Sequence, residues 1–323
     1  MAQARIKLTG RGAVYHCITR VVAGERLLAD PVSKETLAGM MWRMAAFCGI
    51  EIITYCVMVN HLHILVRVPE QRQLTDEELI QRIEALYGKR GLPTVLAREA
   101  VSQRGKLDED LRARWQGRMG DVSEFMKELK QRFSRWYNKK HGRFGTLWAE
   151  RFKSVVVEDG GKSVEAVAAY VDLNPVRAGL VEDPKDYRWC GYAAAVVGNV
   201  LARKGLMSIR PEGSWAEGAA AYRMRLFVGA GGAHQSGKVV LDREKIKAVL
   251  KAGGELSVGE VLRLRLRHMS DGMALGTRAF VNEVFELNRD KFGAGRKEGA
   301  RKVRALASIG MTALRDLRVR AVG

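Results

Sequence analysis

His61-Leu62-His63, set in the apolar run from Tyr55 to Val68, is the group of residues in this chain with the plainest chemical potential. In an extended strand side chains alternate between faces, so both imidazoles emerge on one side while Leu62 and Ile64 point to the other. Two imidazoles so placed are half of a divalent metal site, with positions left for a third protein group, water and a substrate oxygen. Such an open site suits catalysis better than structural metal binding. The same pair also reads as two ordinary polar residues on a strand, so the surrounding elements must decide.

Those elements can be read from pattern. Ala13 to Arg20 reads as a strand. Ser33 to Phe47 carries Leu37, Met40, Met41, Met44 and Phe47 at helical spacing, with Ser33 as its N-cap. Glu51 to Met58 and Leu62 to Val68 form two further strands joined through Val59-Asn60. From Leu74 to Met119 the chain is charged and locally helical, which reads as an inserted helical subdomain over about residues 70–121. A helix follows from Val122 to Lys140 with Phe125, Leu129, Phe133 and Trp136 on one stripe. Then come a strand over Phe152 to Glu158, a turn at Asp159-Gly160-Gly161, and a helix from Ser163 to Leu173 that stops at Asn174-Pro175, because a residue before proline disfavours helical geometry. Without the insert the order is βαββαβ plus one helix. This predicts an α+β fold with a ferredoxin-like core, an antiparallel sheet with two helices on one face.

The 323 residues hold 55 Lys+Arg against 36 Asp+Glu, a net charge of +19 that favours polyanionic partners, nucleic acid first and an anionic membrane surface second. No run of about eighteen apolar residues occurs and Met1 to Lys7 lacks the apolar stretch of a signal peptide, so a soluble, intracellular protein is expected. Cys17, Cys48, Cys56 and Cys190 lie scattered in apolar surroundings and read as buried thiols, not as zinc ligands or disulfides. Nine basic residues fall between positions 127 and 153: Lys127, Lys130, Arg132, Arg135, Lys139, Lys140, Arg143, Arg151 and Lys153. Tyr137, Phe144 and Trp148 are interleaved with them. Backbone neutralisation plus base stacking calls for this combination, so these basic residues and Trp148 are expected to bind DNA. The plainer reading is a solvated helix face followed by a core tryptophan.

Four stretches carry a family resemblance: Tyr15 to Arg20, Val57 to His63, Gly145 to Ser154, and Tyr170-Val171-Asp172-Leu173-Asn174-Pro175-Val176-Arg177-Ala178-Gly179. In this order, over roughly residues 5–195, the chain resembles the tyrosine transposases of the IS200 type, specifically the REP-associated tyrosine transposases. The resemblance makes His61-Leu62-His63 the family's His-hydrophobe-His metal motif. It also makes Tyr170, ahead of the Asn-Pro, the nucleophile, in preference to Tyr15, Tyr137 or Tyr187. A free phenol ionises only near pH ~10, so such a nucleophile needs a nearby cation or a base. Asn174 follows Tyr170 by four residues, one helical turn on. The family places a polar third ligand at this offset, and a helix C-cap is the alternative role, compatible with the first. Asp172 is a weaker ligand candidate. His16, on the neighbouring strand, reads as a structural histidine, with an approach to the metal as the alternative.

The resemblance implies that His61, His63 and Asn174 hold Mg2+ or Mn2+, and that Tyr170 forms a covalent 5′-phosphotyrosine on single-stranded DNA with palindromic hairpins, releasing a 3′-OH that later permits rejoining. It implies a cytoplasmic, nucleoid-associated bacterial protein, monomeric or homodimeric, that does not engage membranes. A non-catalytic hairpin-binding protein is the alternative, and a hydrolase using water the third reading, disfavoured because no acidic residue accompanies the histidines at hydrolase spacing. Residues 1–195 are thus expected as the transposase domain, 196–240 as a helical, Gly- and Ala-rich linker, and 241–323 as a basic C-terminal helical extension. That extension would place helices over Arg243 to Leu250, from Ser257 through Met269, and over Arg278 to Leu287, around a turn at Gly272 to Gly276. Such an arrangement is helix-turn-helix-like, with packing on the core as the alternative.

Overall fold

A computed structural model describes residues 5–8, 10–209, 213–227, 269–270, 272–303 and 310–314. Four strands, β1 (Ala13–Arg20), β2 (Glu51–Val57), β3 (His61–Val68) and β4 (Lys153–Val157), lie side by side in the order β2-β3-β1-β4 with antiparallel pairing. This is the ferredoxin-like order that the βαββαβ pattern predicts. Two long helices, α1 (Pro31–Cys48) and α5 (Val122–Lys140), cover one face. Helix α1 opens at Asp30, not Ser33: the Asp30 carboxylate accepts the Ser33 N–H at 2.8 Å and Pro31 occupies the first turn, where its missing N–H costs nothing. Helix α5 buries Val122, Phe125, Met126, Leu129, Phe133 and Tyr137, an i, i+3, i+4 stripe. Between β3 and α5 the insertion forms α2 (Asp76–Tyr87), α3 (Leu92–Arg104) and α4 (Glu109–Gln116), with Ile83 of α2 and Trp115 of α4 joining the same core as α1.

The second face of the sheet is covered as well. Helices α6 (Gly161–Asp172), α7 (Asn174–Arg177), α8 (Gly191–Val196), α9 (Val200–Met207) and α10 (Trp215–Phe227) contribute to a second core with Val14, Ile53, Leu65, Val155 and Val157. Burial on both sides explains why the strands read as near-continuous apolar runs. The stretch expected as a linker packs directly on the sheet in its first half. Gly205 lies so close to the Ile52 and Ile53 carbonyls, beside a bulge in β2, that a side chain there would collide with backbone.

The C-terminal extension is not all-helical. Helix α11 (Arg278–Glu286) matches the expected third helix, but the Gly272 to Gly276 turn contains β5 (Ala274–Gly276), which pairs parallel with β4. Together with β6 (Ala300–Lys302) and β7 (Thr312–Leu314) it extends the sheet to seven strands, in the order β2-β3-β1-β4-β5-β7-β6. Strands of three residues are too short to show alternation, and the β4 edge they complete lies more than a hundred residues upstream in the chain. The helices expected over 243–250 and from Ser257 to residue 268 lie outside the described residues. All four cysteines are buried and unpaired. No helix among the described residues is long and apolar enough to cross a membrane.

Candidate active site

His61 is the first residue of β3, and the period of the strand puts His61, His63 and Leu65 on the face covered by α6. Across the antiparallel pairing Arg20 faces His61 and Ile18 faces His63, while Lys153 is Ile18's partner on the other side. The two imidazoles stand edge to face with centroids 5.0 Å apart. Each has its Nδ1 against another side chain. His61 Nδ1 lies 2.7 Å from Asn60 Oδ1, and the Asn60 amide group is held by donation to the Gly24 carbonyl at 3.3 Å. His63 Nδ1 lies 2.9 Å from His16 Nε2, and His16 Nδ1 lies 2.6 Å from the Met269 carbonyl.

Burial dominates the electrostatics of this group. His16 is fully enclosed and its pKa is pushed down to about 4, by desolvation first, with the Met269 carbonyl opposing and Arg177 adding to the fall. His63 is driven well below the ordinary histidine value by desolvation first, then by His61, His16, Arg177 and Arg20. Both rings are therefore neutral at physiological pH, the form in which imidazole binds a metal. Among the described residues no cluster of three or more His, Cys, Asp or Glu gathers to hold a metal. Two neutral imidazoles side by side on one strand face fit an open cation site completed by further oxygens.

Tyr170 sits on α6, a helix whose residues 163–172 are all buried. Its ring centroid is 6.4 Å from that of His63 and 6.1 Å from that of His16, edge on to both. The Arg177 guanidinium covers the Tyr170 ring at 3.9 Å and also donates to the Tyr170 carbonyl at 2.8 Å. Helix α6 ends at Leu173, and Asn174 begins α7, with Pro175 in its first turn. Tyr170 and Asn174 are thus on consecutive helices, not on one turn of a single helix. The Asn174 amide donates to the Tyr170 and Val171 carbonyls at 3.2 and 3.0 Å, capping α6 and leaving Oδ1 as the acceptor end of that side chain. Asp172, fully buried, accepts from Thr54 at 2.8 Å, Tyr222 at 2.6 Å and the Tyr192 N–H at 3.2 Å, tying the tyrosine helix to β2, α8 and α10.

The basic stretch divides. Lys153 lies on the same sheet face as the histidines. Arg135, Lys139, Lys140 and Arg151 are exposed, with Lys140 above the Trp136 ring at 5.0 Å. Lys127 pairs with Glu124, Arg132 with Glu128 and the Tyr87 hydroxyl, and Arg143 with Glu25 at 3.4 Å. Lys130 donates to the Glu150 carbonyl at 2.7 Å and rests over Trp148. Trp148 itself is a core residue: it is buried, 5.9 Å from Phe133 between ring centroids, and its indole N–H donates to the Lys130 carbonyl at 3.1 Å. Its bridge to Val21 places it beside the end of β1. The exposed aromatic of this stretch is Phe144, with 94% of its surface accessible. Arg177 went unassigned in the sequence because its role depends on stacking across the α6–α7 junction.

Residues 11–90 match the family model for IS200-like transposases. The similarity to that family is thus carried by about the first quarter of the chain. The matched segment runs from β1 into α2 and so contains both histidines of the pair, while Tyr170 lies beyond it. A solved REP-associated tyrosine transposase bound to a REP hairpin is similar at 15% identity, with a TM-score of 0.40 over 62% of this chain and 88% of that one. No curated protein matches the chain. Within the matched segment His61 and His63 meet His16 from β1, and α6 and α7, beyond the match, bring Tyr170, Asn174 and Arg177 to the same face of the sheet.

Proposed function

We propose that the protein is a metal-dependent single-stranded DNA endonuclease and strand transferase of the REP-associated type, acting on hairpin-containing repeats. The observation that carries this reading is the Tyr170 ring, 6.4 Å from His63 on the facing strand of an IS200-like transposase domain. His61, His63 and Asn174 would hold Mg2+ or Mn2+. Such an ion, when bound, neutralises phosphate oxygens and orients the phosphorus for in-line attack. The Tyr170 hydroxyl attacks phosphorus, a P–O bond forms to the phenol oxygen, and the bond to the 3′ oxygen breaks. The proton lost by the phenol balances the one gained by the released 3′-OH. Attack on the phosphotyrosine by a different 3′-OH reverses the exchange, so no nucleotide triphosphate is consumed. Arg177, stacked on the nucleophile's ring, places a fixed positive charge beside the anionic substrate. Lys153 and the exposed Arg135, Lys139, Lys140 and Arg151 provide backbone attraction, in keeping with the net charge of +19.

The test is a labelled hairpin oligonucleotide incubated with the protein and Mn2+, followed by a denaturing gel. A covalent adduct is expected, and Tyr170→Phe should lower its formation by roughly 10⁴-fold or more while leaving the fold intact. An adduct undiminished in Tyr170→Phe overturns the nucleophile. Cleavage without adduct indicates a hydrolase, and tight binding without cleavage a hairpin-binding protein.

A further inference from the structure

The hydrogen bonds behind the two histidines have a direction that fixes which ring nitrogens are bare. A carbonyl only accepts, so the 2.6 Å contact with Met269 requires the proton of His16 to be on Nδ1. His16 has no surface exposed, and its hydrogen-bond partners are a carbonyl and another imidazole, with no carboxylate to hold a second proton. Its Nε2 is then a bare acceptor, and the 2.9 Å contact with His63 must be donated by His63 Nδ1. His61 is oriented in parallel. The Asn60 amide donates its NH2 to Gly24, which turns the carbonyl oxygen to His61, so His61 Nδ1 donates as well.

We propose that His16 is a positioning residue: by accepting the Nδ1 proton of His63 it fixes the tautomer whose Nε2 lone pair is available to a divalent cation. This chain of hydrogen bonds ends on the Met269 carbonyl, so the C-terminal segment, which also supplies β5 to the sheet, sets the orientation of a ring on β3. Acceptors behind metal-binding imidazoles fix ring orientation and raise ligand basicity, and their loss typically weakens metal binding by 10- to 100-fold. The inference rests on the reading of His61 and His63 as metal ligands, but its first test needs neither metal nor DNA.

In metal-free protein labelled with 15N, long-range 1H–15N correlations should show His63 protonated at Nδ1 with Nε2 bare. His63 protonated at Nε2 in the wild type overturns the proposal whether or not the protein cleaves DNA. His16→Phe keeps the ring volume and removes the acceptor. It should release His63 to a mixture of tautomers and weaken Mn2+ binding, measured by titration with the metal alone, by about 10- to 100-fold. His16→Gln returns a carbonyl acceptor and should hold the Nδ1 proton on His63 with Mn2+ affinity within about threefold of wild type. An unchanged His63 tautomer in His16→Phe overturns the role of His16. Should His16→Phe fail to fold, the wild-type spectrum and His16→Gln decide.

Discussion

The two faces of the central sheet are packed by opposite means. Against α1 and α5 the sheet presents Tyr15, Cys17, Leu62, Ile64 and Val66, and the helices answer with Phe47, Phe125, Leu129 and Phe133, an interface of almost wholly apolar side chains. Against α6 to α10 the same strands present Val14, Leu65 and Val155, but also His16, His63 and Thr54, and the helices bring Tyr170, Asp172 and Asn174. Apolar packing is non-directional and tolerates volume-conserving change, whereas each buried polar group costs free energy unless a partner of fixed geometry meets it. The first face therefore supplies stability and the second supplies placement.

The largest expected stability effect separates the two. Phe133→Ala removes a fully buried ring from the apolar face and should cost about 3–5 kcal/mol in denaturant unfolding. Adduct formation per folded molecule should stay near wild type, since Phe133 packs on the opposite face of the sheet from the histidines. A loss of chemistry as large as the loss of stability would break the division between the faces.

Asp172→Ala reverses the pattern. It strands the Thr54 and Tyr222 hydroxyls and the Tyr192 N–H without their acceptor, at a cost of about 1–3 kcal/mol, partly offset because a carboxylate no longer has to be desolvated. Asp172 is two residues from Tyr170, and its three bonds tie α6 to β2, α8 and α10. Adduct formation should therefore fall at least tenfold in molecules that remain folded at 25 °C. Activity unchanged beside a measurable loss of stability would mean that Tyr170 is placed by packing alone.

The same contrast explains what could be read in advance. The ferredoxin-like order, α5 to its last residue, and β1 to both ends follow from period and caps, which are local properties of the chain. The resemblance of four short stretches pointed to His61, His63, Tyr170 and Asn174, and the fold gathers them on one face, with Asn174 realising its capping role. Trp148 was misread as a base-stacking platform because composition does not tell an exposed indole from one enclosed by Phe133 and Lys130. The His16–Met269 contact and the β4–β5 pairing join residues more than a hundred positions apart, through one hydrogen bond and a three-residue strand, and β6 and β7 are as short, so none of them leaves a local pattern. Asp30 displaced Ser33 as the cap because Pro31 permits the helix to begin earlier.

The smallest predicted effect concerns a cation packed against the apolar face. Lys130 rests over Trp148, and its pKa is lowered to about 8, by burial first and then by Arg5, with Glu150 opposing and Arg151 adding to the fall. An unfolded lysine holds its proton up to about pH 10.4, so between about 8 and 10.4 the unfolded chain binds more protons at this site than the folded one. Stability from this group should therefore rise with pH across that window and level off above it. Partial exposure of the side chain keeps the amplitude modest. Lys130→Met retains the contact with the indole and removes the titration. The difference in unfolding free energy between wild type and variant, measured from pH 7 to 10.5, should move steadily toward wild type as pH rises. Parallel curves would show that solvent reaches the ammonium freely, and that the apolar face excludes water less completely at Trp148 than it does at Phe133.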